Sequence, residues 1–224
     1  MSNFSFIPAA TTVRSAAIAP TDNPSYLQFV GNAVKNNDVI ILNRDTSMKG
    51  KGFVQLFETL AKPLSENRKK VVVPQAVLAE LRHTADSPDT QESRKAKEAM
   101  EDIIELYRAG YIKFAGDPNV RETGSAWILK YVSREIWSQR ILVLTQDAAL
   151  AEDLMVFSRL RSTRPDNQVT VKRVSNDFGQ LNNFHFDEDG RTSFAGRQDA
   201  RLAPQSGTAP RNNAASVVSQ RFRT

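Results

Sequence analysis

The stretch Ile141-Leu142-Val143-Leu144-Thr145-Gln146-Asp147 (ILVLTQD, 141–147) decides how the chain is read. Four apolar residues in succession, with no polar alternation, mark a strand buried on both faces, as in a parallel sheet covered by helices. The run stops at Thr-Gln-Asp, and residues 148–161 then take up helical spacing. Two other stretches repeat the arrangement. Val39-Ile40-Ile41-Leu42 runs into Asn43-Arg44-Asp45-Thr46-Ser47. Val71-Val72-Val73 is halted by Pro74, a residue suited to the first turn of a helix, here expected over 75–82.

Working outward, a short helix is expected over 24–34, with Leu27, Val30 and Val34 on one face. A second spans 53–64 through Val54, Phe57 and Leu60. A third spans 93–109 through Ala96, Met100, Ile103, Ile104 and Tyr107, and ends at Gly110. A fourth covers 119–139, with Ile128, Val132 and Ile136 in step. Weaker strands are expected at 111–114 and 169–174. Short apolar strands separated by helices predict an α/β fold, a three-layer α/β/α arrangement with a mainly parallel central sheet. Chemistry in such sheets gathers at the carboxyl ends of the strands.

Composition narrows the chemistry. With 224 residues and 40% apolar content, the chain can form one domain with a substantial core plus tails. Three regions are expected: a flexible N-terminal segment 1–23, a folded domain 24–189, and a disordered Arg-containing tail 190–224. The tail's six arginines set against Asp199 account for the whole net charge of +5, so 1–189 carries 24 basic and 24 acidic groups. No run of about 18 apolar residues is present to span a bilayer, and the first residues do not read as a secretory signal. There is no cysteine, which removes disulfides, thiolate metal sites and cysteine nucleophiles and fits a reducing, cytoplasmic setting. With His83 and His185 the only histidines, any metal chemistry rests on oxygen ligands.

Three acids fall at matched places. Asp45 follows the first apolar strand, Glu80 lies one to two turns into the helix entered from the second (VVVPQAVLAEL, 71–81), and Asp147 follows the third. In parallel strands all three reach one sheet edge. Carboxylates gathered there repel one another unless a cation lies between them, and hard ions such as Mg²⁺ or Mn²⁺ favour an all-oxygen setting. The plainer alternative is that an Asp after a strand is a helix cap or turn former.

The Asp45-Thr46-Ser47 segment, the segment Pro74 to Leu81 (PQAVLAEL) and Leu144-Thr145-Gln146-Asp147 resemble, in order, the successive motifs of PIN domains, over about residues 38–175. That resemblance implies a PIN-like fold and a metal-dependent endoribonuclease acting on RNA. It implies Asp45, Glu80 and Asp147 as metal-coordinating, catalytic acids, Mg²⁺ or Mn²⁺ as cofactor, and Thr145 with Thr46 or Ser47 supporting the site. Likeness to PIN toxins of toxin–antitoxin pairs adds an inhibitory protein partner as a possibility. One departure stands out. PIN domains usually carry another Asp near the start of the helix before the last core strand, whereas RETGSAWILKYV (121–132) has Ser125 there. Glu122, about one turn earlier, is the expected substitute as metal ligand and catalytic acid, with Asp117 a more distant candidate and Asp153 a surface acid. The departure motivates a second reading, a degenerate PIN domain that binds RNA or protein without catalysis.

Other features weigh less. Lys49 and Lys51 lack the GxxxxGK[ST] context of a phosphate loop, although they and Arg82 border the expected site. His83 is expected at the surface. Trp127, Tyr131 and Trp137 suit base stacking, but equally a core or partner contact. An aspartyl-phosphate phosphatase would require D-x-D after the first strand, and Asp45-Thr46-Ser47 lacks the second acid.

Overall fold

A computed structural model describes residues 23–88, 90–119, 121–161, 169–175 and 179–184, the last two residues of the 148–161 helix by backbone alone. The segments 1–22 and 185–224, and with them His185 and the Arg-bearing tail, lie outside the described residues.

The elements in chain order are α1 Pro24–Lys35, β1 Val39–Leu42, α2 Arg44–Ser47, α3 Lys51–Glu66, β2 Val71–Pro74, α4 Gln75–Ala85 and α5 Gln91–Arg108. They continue with β3 Ile112–Ala115, α6 Gly124–Glu135, β4 Ile141–Leu144, α7 Ala148–Arg161, β5 Val169–Val174 and β6 Leu181–Asn183. The strands form one sheet in the order β3-β2-β1-β4-β5-β6, parallel except for β6. The expected α/β fold with helices on both faces is what the chain adopts.

Strand alternation sorts the core into two halves. Ile40, Leu42, Val71, Val73, Leu142 and Leu144 face one side, where Val30 and Val34 of α1, Leu56 and Leu60 of α3, Val77 and Leu81 of α4 and Ile103 of α5 cover them. Ile41, Val72, Ile141 and Val143 face the other, beneath Ile128 and Val132 of α6 and Leu150 and Leu154 of α7. Double coverage explains why the strands read as unbroken apolar runs. The chain proceeds from β1 to β2 and β3 on one side, then returns to place β4 on β1's other side. The β1/β4 junction is thus the point at which strand order reverses, and in such sheets ligands bind at the carboxyl edge of that junction.

Several expectations need correction. Leu27 of α1 is 45% exposed, and Val54, Ile104 and Tyr107 are also exposed rather than core. Each sits beside the buried stripe, where apolar spacing alone cannot set the stripe's edge. Tyr107 instead stacks on Phe114 of the edge strand β3. The helix expected from 119 begins at Gly124. Asp117 accepts the Asn119 N–H at 2.9 Å in a local turn, and Thr123 caps the helix through the Ala126 N–H. Strand β6 was not anticipated, because Leu-Asn-Asn has no periodicity. It is held by side chains: the Leu181 N–H donates to the Tyr26 hydroxyl at 2.8 Å, and Lys172 Nζ donates to Asn183 Oδ1 at 2.6 Å beside the Phe29 ring.

At the amino edge of the sheet, Lys69 Nζ donates to the carbonyls of Val34, Lys35 and Asn37 at 2.9, 3.0 and 2.6 Å, closing the end of α1 onto the α3–β2 loop. Burial pushes its pKa down, partly countered by Asp38. Lys69→Met keeps the stem and removes all three bonds. It is predicted to destabilise the fold by about 1.5–3 kcal/mol, read as a lower midpoint in urea with an unchanged slope.

Candidate active site at the carboxyl edge of the sheet

Asp45 enters the site because β1 ends at Leu42 and Asn43 turns the chain into the single turn α2. The Asn43 N–H continues the β1–β4 ladder to the Leu144 carbonyl at 2.9 Å, and Asn43 Oδ1 accepts the Arg44 N–H at 2.9 Å. Asp147 arrives from β4, the neighbouring strand, paired with β1 from Val39↔Ile141 to Leu42↔Leu144. Between the two lies Thr145, whose side chain is wholly buried. Its hydroxyl donates to the Asp45 carboxylate, at 3.1 Å from Oδ2, and accepts from Asn43 Nδ2 at 3.1 Å and from the Asp147 N–H at 3.0 Å. Asp45 Oδ2 also accepts the Gln146 N–H at 2.8 Å.

Burial raises the Asp45 pKa. The Gln146 N–H and the Thr145 and Thr46 contacts oppose that rise, and the nearby negative charge of Asp147 adds to it. The two aspartates therefore sense each other across the strand junction. Asp147 is also the helix cap that the plainer sequence reading allowed: its Oδ1 accepts the N–H groups of Ala149 and Leu150 at 3.0 and 3.2 Å. Capping occupies one oxygen and leaves Oδ2, which faces Ser125 Oγ at 3.5 Å. Asp45 is not a cap; that role on α2 belongs to Asn43.

Glu80 comes from α4, and its Oε1 accepts the Gly124 N–H at 3.1 Å. Gly124 is buried at the start of α6. A Cβ there would stand 2.6 Å from Val77 Cγ2, 3.2 Å from Glu80 Oε2 and 3.3 Å from Asn43 Oδ1. The first turn of α6 is thus inserted among the acids, with Gly124 against Glu80 and Ser125 against Asp147. Ser125, the residue standing where the resemblance leads one to expect an acid, lies in the site itself. Glu122 is oriented otherwise: its carboxylate lies 3.7 Å from Lys130 Nζ, and among the described residues it makes no hydrogen bond to Asp45, Glu80 or Asp147. Asp117 is exposed and engaged with Asn119, and Asp153 is exposed.

Thr46 Oγ1 reaches Asp45 Oδ1 at 3.5 Å, while Ser47 donates back to the Arg44 carbonyl at 2.6 Å. Arg44 donates from Nη1 to Thr84 Oγ1 at 3.3 Å, one turn beyond Glu80 on α4. Sequence reasoning passed over Asn43 and Gly124. The signal for Asn43 was a polar, cap-forming residue at a strand end; Gly124 carried none that distinguishes it from a turn glycine.

Among the described residues, no group of three or more acidic or histidine side chains stands close enough to hold a metal by protein ligands alone. Asp45 and Asp147, two carboxylates within charge reach of each other, are nevertheless compatible with Mg²⁺, which favours hard oxygen ligands. That ion ordinarily keeps several waters and takes one or two carboxylates together with substrate phosphates.

No protein-family model matches the chain, and no curated protein matches it. Among solved structures it is similar to one described as the PIN domain endonuclease Utp24, at 14% identity and a TM-score of 0.42, covering 66% of this chain and 92% of that one.

Two outcomes are expected of variants. Gly124→Ala must displace Val77 or Glu80, and a loss of about 1–3 kcal/mol is predicted by thermal or urea unfolding. Asp45→Asn, measured in chelator, is predicted to melt above the parent at pH 7. A carboxyl whose folded pKa lies above its unfolded value contributes stability at low pH that is lost as pH rises through the raised value. The advantage of Asn is therefore full at neutral pH and shrinks as pH falls towards the ordinary value of 3.8.

Proposed function

We propose that this chain is a metal-dependent endoribonuclease of PIN type, with Asp45 and Asp147 holding a divalent ion and Glu80 completing the acidic rim. The observation that carries the reading is the pair Asp45 and Asp147, fixed by Thr145 at the strand-order reversal and charged against each other. The ordered PIN-like motifs support the RNA substrate. Mg²⁺ or Mn²⁺ bound there supplies Lewis acidity for phosphodiester hydrolysis, activating water and offsetting charge on a phosphoryl oxygen.

The chain's own groups do the rest. Thr145 and the Gln146 N–H orient the Asp45 carboxylate, and the Ala149 and Leu150 N–H groups fix one oxygen of Asp147. Arg44, tethered to Thr84 beside the acids, supplies positive charge for a substrate phosphate. The acids position the ion and form no covalent bond to RNA.

A second reading has its own support. Ser125 stands among the acids and Glu122 faces Lys130, so the site carries fewer carboxylates than the resemblance implies. On this reading the domain binds RNA or protein without cutting.

Purified full-length chain incubated with mixed RNA and Mg²⁺ or Mn²⁺ is predicted to cut it, and chelator to stop the reaction. Asp45→Asn and Asp147→Asn should each lower the rate by more than about 100-fold while the fold persists. Ser125→Asp should reach half-maximal rate at lower Mn²⁺. RNA bound but left intact under every metal condition would instead establish the second reading.

A further inference from the structure

The opposite edge of the sheet carries a different chemistry. Where α3 hands over to β2, the loop Asn67-Arg68-Lys69-Lys70 borders a cleft of about 300 Å³ whose lining includes Ser65, Arg68, Lys69, Lys70 and Tyr111. The helix closes with the Asn67 N–H donating to the Pro63 carbonyl at 3.1 Å and the Lys69 N–H to the Leu64 carbonyl at 2.9 Å. That closure puts Arg68 at φ 54°, in the left-handed region, and it is the one non-glycine residue with positive φ among the described residues. Helix ends of this kind ordinarily use glycine or asparagine, because a Cβ in left-handed backbone is strained.

Two of the three charges lining the cleft are also unpaired within the protein. Lys69 commits its ammonium to three carbonyls, which ties the loop to the end of α1. Among the described residues, the side chains of Arg68 and Lys70 have neither an ion pair nor a hydrogen bond. Both side chains are exposed to solvent and line the same cleft, and Arg68 is held on strained backbone. The carbonyl ends of α3 and α5 face the same edge, and basic side chains do offset helix C-termini. That accounts for basic residues here, but it does not require one at the strained position, since Lys69 and Lys70 on ordinary backbone serve the same purpose. Strain kept at a ligand-sized cleft is the pattern of a binding position.

We propose that this cleft is an anion site for a phosphate-type oxyanion. Arg68 supplies paired N–H donors, Lys70 a second charge and Ser65 a hydroxyl. The anion is either free phosphate or a phosphate of a nucleic-acid backbone, and the site is separate from the acids at the carboxyl edge.

The test uses the full chain in chelator, with melting followed as inorganic phosphate is added and, separately, as a single-stranded oligonucleotide is added. The parent's melting temperature should rise with phosphate. Arg68→Gly relieves the backbone while deleting the guanidinium. Without phosphate it should melt at the same temperature or up to about 2–4 °C higher, and it should lose the phosphate-dependent rise. Lys70→Ala should lose part of that rise. If Arg68→Gly also weakens oligonucleotide binding and flattens its salt dependence, nucleic acid is the source; loss of the phosphate response alone identifies free anion. The proposal is overturned if the parent does not respond to phosphate, if Arg68→Gly responds equally, or if Arg68→Gly melts lower, which would make Arg68 a helix-end partner and no more.

Discussion

Two like charges held near each other by strand pairing set the terms for the rest of this molecule. Asp45 and Asp147 follow adjacent parallel strands whose four-residue register brings the two segments side by side. Thr145, buried between them, joins both to Asn43 through one hydroxyl. Burial of the Asp45 carboxylate is unfavourable at neutral pH, and Asp147 makes it more so. The doubly covered apolar strands supply the rigidity that keeps this arrangement from relaxing. A cation between the acids would offset that penalty.

The first turn of α6 moderates the same constraint in a different way. Its Gly124 N–H and Ser125 hydroxyl meet Glu80 and Asp147 where another carboxylate is expected from the motif pattern. A helix N-terminus carries roughly half a positive charge, so the site holds fewer negative groups and partly neutralises those it has. The consequence is a site with less negative charge left to be offset. The serine thus adjusts the charge of the site without emptying it.

Much of this was legible in the residues. The runs at 39–42, 71–73 and 141–144 identified the central strands because burial on both faces leaves no room for polar alternation. Following those strands to their ends located Asp45, Glu80 and Asp147. Pairwise geometry was not legible: Glu122 lies one residue before the Thr123 cap, outside the helix, and its carboxylate stands 3.7 Å from Lys130 of α6. Asn43 and Gly124 were missed because their roles are contacts between segments distant in sequence, through Thr145 and Glu80. The stripe edges at Leu27, Val54 and Ile104 misled for a different reason, since an apolar residue at the margin of a helix face satisfies the spacing whether or not anything covers it.

The central claim is that Asp45 and Asp147 together form a divalent-ion site, and calorimetric titration of the full chain with Mn²⁺ tests it most directly. The parent is predicted to bind one ion saturably, with binding abolished separately by Asp45→Asn and by Asp147→Asn and strengthened by Ser125→Asp. Equal binding by the parent and both Asn variants, or no binding by the parent at millimolar Mn²⁺, would contradict it.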